Sequence, residues 1–317
     1  MEEAINKDSG PDDVYRLKML DPFLGDRDLH QIHDGTLAPF IAWRRQPVEV
    51  KRKSGKVWVK QVRTKTINHD LAIVRRILNL AARKWRDEQG LTWLESAPLI
   101  SLPKVRDARP PYPLSWAEQR LLLPELPEHL AEVCLFLLNS GLRSESEAVR
   151  LDWRWEIAVP ELDCSVFLVP GDNRKNEQDH VCVLNSVAHS IIERRRGKHP
   201  TAVFTWRGKP LKSVNNTAWL NARARAVAKY QERFSEPAPE GFRTLHVHDL
   251  RHTVGRRLRA AGVGLETRQA VLGHKSGSIT THYSAAELRE LLEAMEFIAT
   301  DNQRESHALT LLKRKAG

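Results

Sequence analysis

His248-Asp249-Leu250-Arg251-His252, followed by Leu272-Gly273-His274 and by Thr281-His282-Tyr283-Ser284, places imidazoles, a guanidinium and a phenol within 36 residues. All three are side chains that handle a phosphate. His248 and Arg251 are three apart and share one face of a helix. The arginine can hold two non-bridging oxygens at once, and the histidine can move a proton near neutral pH. His248 and His252 also have the i, i+4 spacing of a metal-binding pair. Zinc proteases with that spacing carry Glu after the first His; here it is Asp249, and Arg251 would repel a cation. No metal and no cofactor are expected.

Working outward, the charge is unevenly spread. Net charge is +10. Residues 1–42 hold 4 basic and 9 acidic side chains, whereas residues 43–86 hold 14 basic and 2 acidic, net +12. Such a stripe suits a phosphate backbone, with a solvated helix face as the alternative. Ile67, Leu71, Val74, Leu78, Ala81 and Trp85 repeat at helical spacing, predicting a helix over 66–89 that Gly90 stops. Arg75, Arg76, Arg83 and Arg86 fall mostly off its apolar face and are the candidate DNA-binding residues. A second helix is expected over 28–45, with a turn or short hairpin at 51–65 between them.

Five prolines between Pro98 and Pro113 forbid a helix or a central strand there. The expected organisation is a mobile leader over 1–22, a small helical DNA-binding domain over 23–97, an extended linker over 98–113, a catalytic domain over 114–300 and a basic tail over 301–317. Within the catalytic part, Ser115-Trp116-Ala117-Glu118 has capping-box spacing, and 128–139 is a nearly continuous apolar helix. Residues 163–169 and 180–184 read as a hairpin around a long polar turn. Residues 203–206 read as a short strand, and 213–230, 247–261, 265–272 and 285–299 as helices. The fold class is therefore mainly α with a small β-hairpin or sheet.

No apolar run approaches 18 residues, so no membrane partner is expected. The acidic N-terminus is not a secretory signal. Cys134, Cys164 and Cys182 sit far apart, without zinc spacing, and read as reduced residues of a cytoplasmic protein.

Taken together, His248-x-x-Arg251, the Leu272-Gly273-His274 context and Tyr283 nine residues after His274 resemble the tyrosine recombinase (phage integrase) family. Upstream, Ser140-Gly141-Leu142-Arg143 and Leu151-Asp152-Trp153 resemble the family's first arginine motif. Val169 to Asn176, running on to His180–Leu184, resembles its lysine-bearing hairpin, with Lys175 aligned and Arg174 as neighbour. The likeness is firm over 114–297 and looser over 23–97, which is similar to a core-binding domain. It implies Tyr283 as nucleophile, Arg143 and Arg251 as charge stabilisers, Lys175 as general acid, His248 as general base and His274 on a phosphate oxygen. It further implies double-stranded DNA as partner, a homotetramer on two DNA sites, and recombination or integration for a mobile element. DNA relaxation of the type IB topoisomerase kind and an inactive DNA-binding remnant are the alternatives.

Three points are left open by the residues themselves. The family usually places Glu three after its first arginine; here Ser146 stands there and Glu147 follows. The extra residue could turn Arg143 outward, or Arg143 could simply pair with Glu147. The amphipathic helix after Tyr283 either packs on its own domain or, as the resemblance implies, docks on a neighbouring protomer. Residues 1–27 are too short and acidic for the arm-binding domain, about 60 residues long, of many phage integrases, so the sequence reads either as a simpler recombinase or as one that has lost its N-terminus.

Overall fold

The structure is a computed structural model that describes residues 10–51, 55, 57–173, 178–274 and 284–299. The chain is mostly helical and forms two compact units that part between Pro110 and Pro111.

The N-terminal unit is built on helices α1 (Gly10–Leu24), α2 (Asp34–Arg45) and α3 (Thr64–Arg83). Leu20, Leu37, Phe40, Ile67, Leu71, Val74 and Leu78 fill its core. Asp70 of α3 is fully buried and takes Arg16 of α1 at 3.2 Å and Arg44 of α2 at 3.1 Å. A buried carboxylate is tolerable only when paired in this way. The pairing corrects the expected leader: residues 10–22 are helical, with Leu20 in the core. Strands β1 (Val48–Lys51) and β2 (Val57–Lys60) make an exposed hairpin between α2 and α3.

Two helix boundaries also differ from expectation. Residues 28–33 break away from α2 because His33 caps it, its Nδ1 accepting from the Gly35 amide at 3.1 Å. Helix α3 stops at Arg83, before Gly90. Trp85 turns to pack against Trp93, ring centroids 5.2 Å apart, and Leu94 N donates to Ala81 O. Arg86 therefore lies on the following turn and donates to Gly90 O at 2.9 Å. Arg75, Arg76 and Arg83 remain on α3, and all four arginines are exposed. The proline segment is extended, and its first part lies on this unit: Ile100 is buried in the core and Asn68 donates to Pro103 O.

The C-terminal unit begins with α4 (Trp116–Leu122), whose capping box joins Ser115 and Glu118. The apolar α5 (Glu128–Ser140) follows. Strands β3 (Glu156–Val159), β4 (Cys164–Val169) and β5 (His180–Val183) form an antiparallel sheet in that order. Next come α6 (Ser186–Arg195), the β6 (Thr205–Trp206) and β7 (Lys209–Pro210) pair, α7 (Thr217–Phe234), α8 (Glu240–Arg243), α9 (His248–Ala260), α10 (Leu265–Leu272) and α11 (Ala285–Glu296). Strand β3 and helix α6 were not anticipated, and the expected helix from 213 starts only at Thr217. One core gathers Phe136, Phe167, Phe204, Trp219 and Phe242. A second joins the sheet to Val254 and Leu258 of α9 and to Leu288, Leu291 and Met295 of α11.

Helix α11 thus packs on its own unit. Asn185 donates to Met295 O at 3.0 Å, and Glu296 accepts from the Ser186 amide at 2.9 Å. Burial pushes the Cys134 and Cys182 thiols up, so both stay protonated. Among the described residues no helix is long and apolar enough to cross a membrane.

Candidate active site

Helix α5 ends at Gly141, whose φ of +69° is costly for any residue with a Cβ. A Cβ there would also stand 3.1 Å from Leu272 Cδ2 and 3.3 Å from Val254 Cγ1. The glycine therefore lets α5 end tightly against α9 and α10. Two residues on, Arg143 opens a turn closed by the Glu147 and Ala148 amides, which donate to Arg143 O at 3.2 and 2.9 Å.

Glu147 is fully buried. Its Oε2 accepts from the Arg143 amide at 2.8 Å and its Oε1 from Arg143 Nη1 at 2.5 Å. The same carboxylate lies 4.0 Å from Arg251 Nη1. Two guanidiniums placed close together repel, and one buried carboxylate between them offsets that repulsion. The extra residue after Arg143 is absorbed in this non-helical turn. Pairing with Glu147 and belonging to the cluster are not alternatives for Arg143, because Glu147 is itself part of the cluster.

Arg251 is buried on α9. It donates to Gly141 O at 2.6 Å and to Leu272 O, linking the ends of α5 and α10. His248 stands exposed one turn earlier. Its imidazole is held below the ordinary value by partial desolvation first, then by His252, Arg251 and Arg143, against the opposing charge of Asp249. The His248 and His252 rings meet edge to face, centroids 5.0 Å apart. His274 follows Gly273, which closes α10 in the left-handed conformation, and the His274 amide donates to Gln269 O. His274 is exposed two residues beyond the carbonyl that Arg251 holds.

Arg143, His248, Arg251 and the end of α10 before His274 are thereby brought together. Lys175 and Tyr283 lie outside the described residues: Lys175 between β4 and β5, Tyr283 between α10 and α11. The other tyrosines of this unit are poorly suited to attack. Tyr112 and Tyr230 donate to Glu118 and Glu236 at 2.6 and 3.2 Å, and burial plus those carboxylates pushes both phenols up. Arg75, Arg76, Arg83 and Arg86 belong to the N-terminal unit.

Several supporting residues were not singled out from sequence. Asp249 is buried and accepts from the Tyr112 amide at 3.1 Å and the His246 amide at 2.8 Å. Thr253 Oγ1 accepts from the Leu114 amide at 2.9 Å. These two side chains seat residues 112–114 on the arginine-bearing helix. His180 of β5 is buried, with Nε2 against Ala270 O and Val271 O at 3.2 and 3.1 Å, steadying the last turn of α10. Each contact spans at least 90 residues except that to His246, so no local pattern announces it.

The model of the phage integrase family matches residues 121–290, more than half of the chain. The integrase of Salmonella phage P22 is 26% identical over 230 residues, covering 68% of this chain and 52% of that protein. Transposase B from transposon Tn554 of Staphylococcus aureus is 22% identical over 253 residues, covering 75% and 37%. The chain thus spans about half, or less, of the length of these relatives. Among solved structures, a lambda integrase dimer bound to a COC' core site superposes with a TM-score of 0.55 at 14% identity, over 95% of this chain and 73% of that one. XerH recombinase in a post-cleavage complex with difH substrate gives 0.53 at 16% identity, over 91% and 75%. The match over most of the C-terminal unit, on the segment that clusters Arg143, His248 and Arg251, makes this chain a member of the phage integrase family.

Proposed function

We propose that the protein is a site-specific DNA recombinase, an integrase of a mobile element, that cuts and rejoins double-stranded DNA through a 3′-phosphotyrosine. The observation that carries the reading is the pair of arginines, Arg143 and Arg251, held on one buried carboxylate beside an imidazole whose pKa is pushed below its ordinary value. Such a pocket suits a phosphodiester whose negative charge grows as phosphorus becomes five-coordinate.

In this mechanism Tyr283 Oη attacks the scissile phosphorus while the P–O5′ bond breaks. His248 takes the phenolic proton, and Lys175 gives a proton to the leaving 5′-oxygen. Arg143 and Arg251 hold the non-bridging oxygens, with His274 as a further donor. The covalent link preserves the bond energy, so the free 5′-hydroxyl of a second strand can reverse the step and release the tyrosine. Strand exchange needs two sites, hence four protomers acting in pairs on cytoplasmic DNA. The exposed arginines of α3 supply sequence-independent affinity.

The test uses nicked duplexes drawn from the junctions that bound the encoding element. The unaltered chain forms a covalent adduct, and Tyr283→Phe binds the same DNA but forms none. An equal adduct yield from Tyr283→Phe would reject Tyr283. Binding without adduct by the unaltered chain would point to a DNA-binding remnant. Relaxation of plasmid without exchange between two sites would point to the topoisomerase reading.

A further inference from the structure

The turn that carries Arg143 is held from a second side. Glu145, two residues after the arginine, turns its Oε1 to the segment ahead of α7. That oxygen accepts from Ser213 Oγ at 3.1 Å, from the Val214 amide at 3.2 Å and from the Asn215 amide at 3.3 Å. The segment it grips is itself fixed. Val214 is fully buried in the main core, and Asn216 caps α7 by accepting from the Ala218 and Trp219 amides at 3.0 and 3.2 Å. A charged acceptor on three donors is stronger than its neutral counterpart.

Residues 143–147 are not helical, so no regular hydrogen-bond ladder sets their path. What defines the turn is the closure on Arg143 O and two carboxylates, Glu147 facing inward and Glu145 facing the 213–215 segment. The turn is one residue longer than the usual spacing of its family, and a longer loop needs more to define it. We infer that Glu145 is a positioning residue: by tying the Arg143 turn to residues 213–215, it holds the Arg143 guanidinium where the scissile phosphate binds. It touches neither substrate nor the reacting atoms. The inference rests on the recombinase reading above.

The experiment compares the unaltered chain with Glu145→Ala, Glu145→Gln, Arg143→Ala and the Glu145→Ala/Arg143→Ala double variant. Adduct formation is followed in single turnovers on nicked junction duplexes, alongside DNA affinity. Glu145→Ala should slow adduct formation by about tenfold, since small displacements of a reacting geometry carry large rate penalties. DNA affinity should change little, and Glu145→Gln, which keeps an acceptor, should recover most of the rate. In the Arg143→Ala background the Glu145→Ala effect should vanish, because it acts through that side chain. Hydrogen exchange at the Val214, Asn215 and Ala148 amides should quicken in Glu145→Ala.

A full rate for Glu145→Ala, or the same loss with Arg143 already removed, overturns the positioning role while leaving the recombinase reading intact. Unchanged exchange overturns the tie itself. No adduct from the unaltered chain overturns the recombinase reading and the positioning role together.

Discussion

The Glu147 carboxylate lies 4.0 Å from the Arg251 guanidinium, although 104 residues separate them in the chain. The same carboxylate binds Arg143 at 2.5 Å. Arg143 and Arg251 are thus not two independent cations but two arms on one buried anion. Glu147→Ala leaves them uncompensated and the Arg143 amide without its acceptor, and should cost about 3 kcal/mol of stability. Glu147→Gln keeps the shape and should cost roughly 1–2 kcal/mol, yet slow adduct formation on the order of 10² as the arginines move apart. Urea midpoints and single-turnover rates check the pair; a full rate in Glu147→Gln would show that its charge is not needed. Deleting Ser144 to restore the usual spacing should also abolish cleavage, because it shifts both Glu145 and Glu147 out of reach.

Gly141→Ala tests how tightly α5 must end against α9 and α10. The left-handed conformation costs about 1–2 kcal/mol with a Cβ, and contact with Leu272 and Val254 adds to it. Gly262 has a similar φ of +81° with nothing within 4 Å of an added Cβ. Gly262→Ala should therefore show the conformational cost alone. Equal losses of Tm in the two variants would mean that the α5 end packs more loosely than the contacts indicate. Only Gly141→Ala should also impair cleavage, since Gly141 O is an anchor of Arg251.

The rate should depend on pH through His248. Its folded-state pKa is lowered, so the neutral base survives to a pH below the ordinary 6.5 and the rate falls only as pH drops past that point. The same sign applies to folding: the unfolded histidine binds a proton first, so acidification through this window removes stability. His252→Phe preserves the bulk against the ring but removes a neighbour that disfavours the cation. The acidic limb of the rate profile should then move to higher pH. A limb that stays in place would show that His252 does not contribute, leaving desolvation and the two arginines.

Charge neutralisation on α3 probes the N-terminal unit separately. Arg75, Arg76 and Arg83 are exposed on one helix, so replacing all three with Gln should flatten the salt dependence of DNA binding by up to about three units. Adding Arg86→Gln, on the turn beyond the helix, tests whether that residue also faces the duplex. An unchanged slope in the triple variant would place this face in solvent.

What the sequence determined by itself is local and chemical. The Ser115–Glu118 capping box and the α5 and α9 helices each rest on residues within a few positions of one another, and the β4–β5 hairpin on two apolar runs joined by one polar turn. The His248–Arg251 register is likewise fixed by helical spacing. Tertiary structure decided the rest, because burial and long-range pairing leave no periodic mark. Residues 10–22 look like an acidic leader until Asp70 pairs with Arg16 across 54 positions. Helix α3 ends early because Trp85 finds Trp93. Helix α11 is seated on its own unit by the Asn185 bond to Met295 O, across 110 positions. Glu147 looked like a spacing defect, and only the approach of α9 makes it the anion shared by two arginines.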